Sequence, residues 1–253
     1  MTTLPANYVD VQQQSPEWFQ MREGMLTGSV VADAVAKMAR QPSLAAKCKE
    51  GKHGACEAKS CSCSCHPQPA SGVLYQQCRE NLMIDVALTR TTGIMPEHYV
   101  SRAMEQGIER EPMAVAAYEM ARDVMTDTIG FVFHPEIQWY GTSPDFLLRS
   151  DIVGEVKCPT AAMHLRYLLE ADEARRKGLD YVPEEYMPQV KAHLSCTGRP
   201  LLHFVSFNPD FPKHQQLLVT EWRRDQGMLE EQDREVVKFL TETDALVERI
   251  KAL

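Results

Sequence analysis

Long apolar runs are missing from this chain of 253 residues; none approaches the ~20 residues that cross a bilayer, which excludes a helical membrane protein. Residues 1–7, Met-Thr-Thr-Leu-Pro-Ala-Asn, also lack the basic start and apolar stretch of a secretory leader. The expected compartment is therefore the cytosol, where structural disulfides are disfavoured. Positive charge is scarce: 27 Lys and Arg face 35 Asp and Glu, a formal net charge of -8. That balance argues against a protein held to nucleic acid by its bulk field, but not against an enzyme that confines its basic residues to a groove and keeps carboxylates for metal ions. Internal repeats and low-complexity tails are absent as well. What remains, 44% hydrophobic and 25% charged residues, is the composition of an ordinary globular protein, read here as a single domain over 1–253.

The eight cysteines are not scattered. Cys48, Cys56, Cys61, Cys63, Cys65 and Cys78 fall within residues 48–78, with His53 and His66 among them. The centre, Cys61-Ser62-Cys63-Ser64-Cys65-His66, is flanked by Pro42, Gly51, Gly54, Pro67, Pro69 and Gly72, so residues 41–72 read as a loop insert. In a reducing compartment such a cluster suggests structural Zn2+, with Cys48, His53, Cys56, Cys61, Cys63, Cys65 and His66 as candidate ligands. The spacing departs from paired C-x2-C, and an iron–sulfur cluster or no metal at all stay open. Cys78 falls in the helical pattern that follows and reads as core.

Ser15-Pro16 opens a short helix that carries Trp18, Phe19 and Met21 and ends at Gly24; Thr27 or Ser29 caps a second, over 29–40. Further helical patterns cover 74–90, 101–125 with an interruption at Pro112, 160–178, 187–197 and 227–252. Short β-type runs lie at 131–133, 137–140, 146–148, 152–158 and 201–207. The fold expected is α/β, a small mixed central sheet flanked by helices, with the Cys-rich loop inserted.

The most informative stretch is Gly141-Thr142-Ser143-Pro144-Asp145-Phe146, followed ten residues after the aspartate by Glu155-Val156-Lys157. In a strand, Glu155 and Lys157 share a face while Val156 points to the other. Asp145 joins that face if the connection between the two runs is odd-numbered or bulged. Two neighbouring carboxylates both ionise readily only around a cation, and oxygen ligands suit Mg2+ or Mn2+. Lys157 is then placed to orient or deprotonate an attacking water and to offset charge developing at phosphorus. The bland alternative is a solvated hairpin with a weak ion pair. Glu111 falls on a helical stripe of Met104, Ile108, Val115 and Tyr118, just before Pro112; a helix-end glutamate in solvent is its bland reading. Arg22 and Ser29 bracket a glycine-bearing turn that opens a helix, a geometry that receives anions. Gln189 sits one residue into a helix begun by Pro188. His193, one turn on, could face the same cleft, but a lone histidine is more often structural and is left out.

Pro144-Asp145 with Glu155-Val156-Lys157 resembles the PD-(D/E)xK nuclease signature. Beyond it, the chain resembles the phage lambda exonuclease and YqaJ-type viral recombinase nucleases from about Ser15 to Phe207. The matching blocks are Trp18 with residues 21–29 (Met-Arg-Glu-Gly-Met-Leu-Thr-Gly-Ser), residues 107–118, 142–147 and 155–159, and Tyr186-Met187-Pro188-Gln189-Val190. The resemblance implies a restriction-endonuclease-like core and a 5′-to-3′ exonuclease on double-stranded DNA ends, which leaves 3′ single strands for recombination. It implies that Asp145, Glu155 and the Val156 carbonyl hold Mg2+, that Glu111 completes the site through water, that Lys157 serves the water, and that Gln189 lines the site. Arg22, Ser29 and Tyr186 would meet DNA phosphate. A ring-shaped homotrimer and a single-strand annealing partner are implied too. Two alternatives stand beside this reading: an iron–sulfur nuclease of RecB or CRISPR type, and a catalytically inactive zinc-knuckle DNA-binding protein.

Overall fold

The computed structural model describes residues 4–37, 76–95 and 102–253, and of 102–104 the backbone only. The Cys-rich insert, with Cys48, His53, Cys56, Cys61, Cys63, Cys65 and His66, lies outside the described residues.

In chain order the elements are β1 (Tyr8–Val9), α1 (Pro16–Met21), β2 (Leu26–Thr27), α2 (Val31–Val35), α3 (Gln77–Thr92), α4 (Arg102–Arg122), β3 (Phe131–Phe133), β4 (Tyr140–Thr142), β5 (Phe146–Leu148), β6 (Ile152–Lys157), α5 (Ala161–Arg176), α6 (Met187–Thr197), β7 (Leu201–Phe207), β8 (Leu217–Arg223) and α7 (Gln226–Lys251). The strands form two four-stranded mixed sheets, β1-β3-β4-β2 and β5-β6-β7-β8, and Asp127, in the segment before β3, makes an isolated antiparallel bridge to Leu147 of β5. In the second sheet β6 and β7 are parallel and both outer pairs antiparallel.

Helices cover both faces of this second sheet. On one, Val153, Leu202 and Phe204 pack with Val190 and Leu194 of α6 and with Leu229, Val236 and Phe239 of α7. On the other, Phe146, Val156 and Val205 pack with Ala114 and Tyr118 of α4. Neighbouring residues of β6 therefore enter different cores, as strand alternation requires. The inward face of α7 closes the first core, and its start is capped by Asp225, which accepts the Met228 N–H at 2.9 Å.

Several expectations need correction. Ser29 caps no helix: Val30 occupies the cap position without a side-chain bond, and the Ser29 hydroxyl is engaged by Arg22 instead. α4 runs unbroken through Pro112, whose exposed ring leaves the freed Ile108 carbonyl on the solvent side. Ile108 itself is 52% exposed, so the buried stripe of α4 consists of Ala114 and Tyr118. The run at 137–140 starts as a strand only at Tyr140, because His134 Nδ1 accepts the backbone N–H groups of Glu136 and Ile137 and Trp139 adopts a φ of 65°. Strand β8 carries no strong alternation, being half-buried along most of its length at the sheet edge.

Gly154 lies opposite Phe146 in the hairpin, and a Cβ there would meet the Phe146 ring at 2.2 Å. Gly154→Ala is expected to displace that ring and destabilise the protein by about 1–3 kcal/mol, measured by denaturant unfolding. An unchanged midpoint would contradict the register.

Candidate active site

Asp145 reaches Glu155 because the β5–β6 connection, residues 149–151, is odd-numbered, with Arg149 at a φ of 53°. The ladder pairs Phe146 with Gly154, and the Asp145 N–H donates to the Gly154 carbonyl at 3.1 Å, so Asp145 and Glu155 project from one face. Arg199, buried after α6, donates from Nη1 to the carbonyls of Leu148, Arg149 and Ile152 and so pins the turn. Gln13 straps the other end, donating to the Pro144 and Ile129 carbonyls at 2.8 and 2.7 Å.

The Glu155 side chain is fully buried. Its Oε2 meets His193 Nε2 at 2.5 Å, while Oε1 has the Lys157 ammonium against it and accepts no aligned hydrogen bond. Asp145 Oδ2 accepts the Val156 N–H at 2.5 Å. Glu111, half-buried on α4, lines with Asp145, Tyr8, Gln13 and Ile129 a cleft of about 470 Å³.

The three carboxylates feel one another. Burial, then the charge of Glu155, holds Asp145 well above the usual carboxylate range, against Lys157. Glu111 is raised for the same reasons. For Glu155 burial acts upward, but the Lys157 ammonium and His193 outweigh it, and its pKa falls. Lys157 is desolvated, yet Glu155 and Asp145 hold it above its ordinary value. Among the described residues no group of three or more His, Cys, Asp or Glu is arranged as a metal cage. The lysine ammonium is the cation placed on Glu155, with Tyr186 beneath it, ring centroid 5.1 Å away.

A second cluster lies beside the first. The Arg22 guanidinium stacks over Trp18 at 3.8 Å and donates from Nη2 to Thr27 and Ser29, both at 3.2 Å. The Trp18 indole donates at 2.9 Å to Ser143, two residues before Asp145. Burial lowers the Arg22 pKa to about 10, so it stays cationic at neutral pH, and no acidic partner is bonded to it among the described residues. From below, Arg90 donates to the Gly24 carbonyl at 2.7 Å and lies over Trp139.

Asp145, Glu155 and Lys157 thus come together, with Glu111 lining the same cleft as Asp145 and with Tyr186 against the lysine. Val156 turns its side chain into the opposite core. Arg22 and Ser29 are brought together by their own hydrogen bond. Gln189 is half-buried in the first turn of α6, four residues before His193. His193 is what sequence reasoning missed: fully buried, it joins Glu155 to Thr142, whose Oγ1 lies 2.7 Å from Nδ1. The signal available was its spacing of one helical turn from Gln189. Trp18 and Arg90, as supports of Arg22 and Gly24, were not legible either.

Comparison with known proteins bears on the family and the fold. The family model of the YqaJ-like viral recombinase domain matches residues 17–200. The chain is similar to LHK-Exo, an alkaline exonuclease from Laribacter hongkongensis, at 28% identity. The TM-score is 0.69, covering 94% of this chain and 97% of that one. A structure of LHK-Exo in complex with dAMP gives a TM-score of 0.70 at the same identity and coverage. A phage related exonuclease from Haemophilus somnus 129PT, 13% identical, shares the fold with a TM-score of 0.60 over 89% of this chain and 96% of that one. No curated protein matches the chain.

Proposed function

The chain belongs to the YqaJ-like viral recombinase domain family, and on that premise we propose that it is a metal-dependent exodeoxyribonuclease. It removes one strand of duplex DNA from the 5′ end and leaves a 3′ single strand for recombination. The observation that carries this reading is the convergence of Asp145, Glu155 and Lys157 on one face, with Asp145 and Glu111 lining a cleft, beside a half-buried arginine that has no bonded carboxylate among the described residues.

The residues fit a divalent cation. Glu155 Oε1 is fully buried with the Lys157 ammonium in contact, and Asp145 is held up by carboxylate neighbours that a cation would satisfy. Asp145, Glu155 and the Val156 carbonyl would hold it, with Glu111 completing the site through water; all are oxygen donors of the type Mg2+ and Mn2+ take. Bound there, the ion would let both carboxylates ionise, polarise the phosphoryl group and lower the pKa of a water. Arg22 and Ser29 hold the terminal 5′-phosphate through charge-assisted and hydroxyl hydrogen bonds. Lys157 presents its ammonium to the charge that develops at phosphorus, and Tyr186 limits the directions it takes. The Gln189 amide serves a water or phosphate oxygen. Hydrolysis that breaks the bond from phosphorus to O3′ of the departing nucleotide leaves a 5′-phosphate on the shortened strand, the group the Arg22 site takes next.

The proposal includes one nuclease domain over 1–253, cytoplasmic action, a ring-shaped homotrimer around the duplex and a single-strand annealing partner. The ring would reconcile a chain of net charge -8 with a basic channel. No helix among the described residues is long and apolar enough to cross a membrane. For residues 41–72 we keep structural Zn2+, on ligand chemistry alone; metal analysis of the purified protein tests it.

The test is digestion of end-labelled linear duplex with and without Mg2+, using wild type and Lys157→Ala. Metal-dependent loss of the 5′-ended strand, abolished by the substitution, is expected. Retained DNA binding without digestion would favour the inactive DNA-binding protein instead.

A further inference from the structure

We propose that His193 is a positioning residue that holds Glu155 to one-oxygen ligation, and that it thereby makes the site discriminate against Ca2+. The inference rests on the metal site proposed above and specifies its ion preference.

The two oxygens of Glu155 stand in different surroundings. Oε2 is taken by His193 Nε2 at 2.5 Å, whereas Oε1 has the Lys157 ammonium in contact on the side away from the histidine. The imidazole is itself fixed. It is fully buried on α6, and its Nδ1 lies 2.7 Å from Thr142 Oγ1. Thr142 is fully buried too, and its hydroxyl is pressed on Gly28, where a Cβ would stand 2.4 Å from Oγ1. The consistent assignment is that the Thr142 hydroxyl donates to Nδ1 and that Nε2–H donates to Glu155. Rotation of the carboxylate to present both oxygens to one ion would break the bond to His193 and leave a buried imidazole N–H without a partner.

That cost falls unequally on different cations. Ca2+ takes six to eight oxygens at 2.3–2.6 Å and gathers them partly through bidentate carboxylates. Mg2+ and ions of similar size take six at shorter distances and accept one oxygen from each carboxylate. A glutamate with one oxygen already committed to a buried histidine suits the second class. The Thr142–His193–Glu155 chain also joins this carboxylate to the turn that carries Ser29, since the Gly28 N–H donates to the Gly141 carbonyl at 3.0 Å.

The test is calorimetric titration of the full chain with MnCl2 and, separately, CaCl2, for wild type, His193→Leu, His193→Gln, Thr142→Val and Asp145→Asn. Wild type is expected to bind Mn2+ more tightly than Ca2+. His193→Leu is expected to narrow the ratio of the two dissociation constants about tenfold, the scale on which an outer hydrogen-bond partner acts on metal affinity. His193→Gln keeps a donor near the Nε2 position and is expected to restore the wild-type ratio. Thr142→Val leaves His193 in place but frees its orientation, so a smaller narrowing in the same direction is expected, and this variant stands in should His193→Leu not fold. An unchanged ratio in Thr142→Val and in folded His193→Leu would overturn the inference. Asp145→Asn separates the two levels: it should weaken both ions, and if it weakens neither, the metal site itself is wrong and the inference falls with it.

Discussion

Asp145→Asn is expected to lower the rate of strand removal by about 10³-fold, the upper end of what one charge-stabilising group supplies, while making the metal-free protein more stable. The first effect follows from the proposed role of the carboxylate. The second follows from its surroundings: Asp145 is half-buried and desolvated beside Glu155 and Glu111, with Lys157 and the Val156 N–H acting in its favour but outweighed. The amide keeps an oxygen for the Val156 N–H and removes the repulsion. The pH dependence has a definite sign. Because the folded state raises the pKa of Asp145, it binds that proton more tightly than the unfolded chain does. The stability this gives is complete below the ordinary carboxylate value of ~3.9 and is lost as pH rises through the raised one. Across that window the metal-free melting temperature of wild type should fall relative to Asp145→Asn. At neutral pH the variant should melt about 2–4 °C higher, which is what ~1 kcal/mol gives at this chain length. Calorimetric scans in a chelator measure this, and added Mg2+ should shrink the difference. A variant that melts lower at every pH would show that Asp145 sits in no such field.

Arg22→Ala is expected to erase the preference for phosphorylated 5′ ends. A charge-assisted hydrogen bond to phosphate contributes about 1.5–3 kcal/mol, or roughly 10–150-fold in kcat/KM. Arg22 is suited to it: stacked on Trp18, bonded to the two hydroxyls of Thr27 and Ser29, and without a bonded carboxylate among the described residues. The loss should fall on 5′-phosphorylated duplex, with 5′-hydroxyl ends almost unaffected, so that the two substrates converge. Arg22→Lys should recover only part, because an ammonium cannot both stack on the indole and fork between two acceptors. Equal losses on both substrates would place Arg22 in general DNA binding instead. The two variants act through different groups, but the Trp18–Ser143 bond joins the clusters. Their combination is therefore not expected to be additive.

Much of the site could be read from residue order alone. Alternation along a strand puts Glu155 and Lys157 on one face and Val156 on the other, and the fold keeps all three there. Ser15-Pro16 signalled a helix start that the structure places at Pro16 with Ser15 as cap. The position of Asp145 was conditional on the parity of a turn, and residues 149–151 supply the odd count.

What the sequence by itself determined is the set of local and periodic features: the helices with apolar stripes, the central strands, the signature acids and lysine, and the glycine-bearing turn at residues 22–29. These follow from backbone preferences and from chemistry carried by neighbours in the chain. Only the tertiary structure decided the rest, which depends on groups far apart in sequence. His193 meets Glu155 across 38 positions, Trp18 meets Ser143 across 125, and Arg199 secures a turn about 50 positions earlier. A lone histidine, tryptophan or arginine has no periodicity to betray its partner. The edge strand β8 stayed hidden for a related reason, since its half-buried residues take their order from pairing with β7 rather than from a pattern of their own.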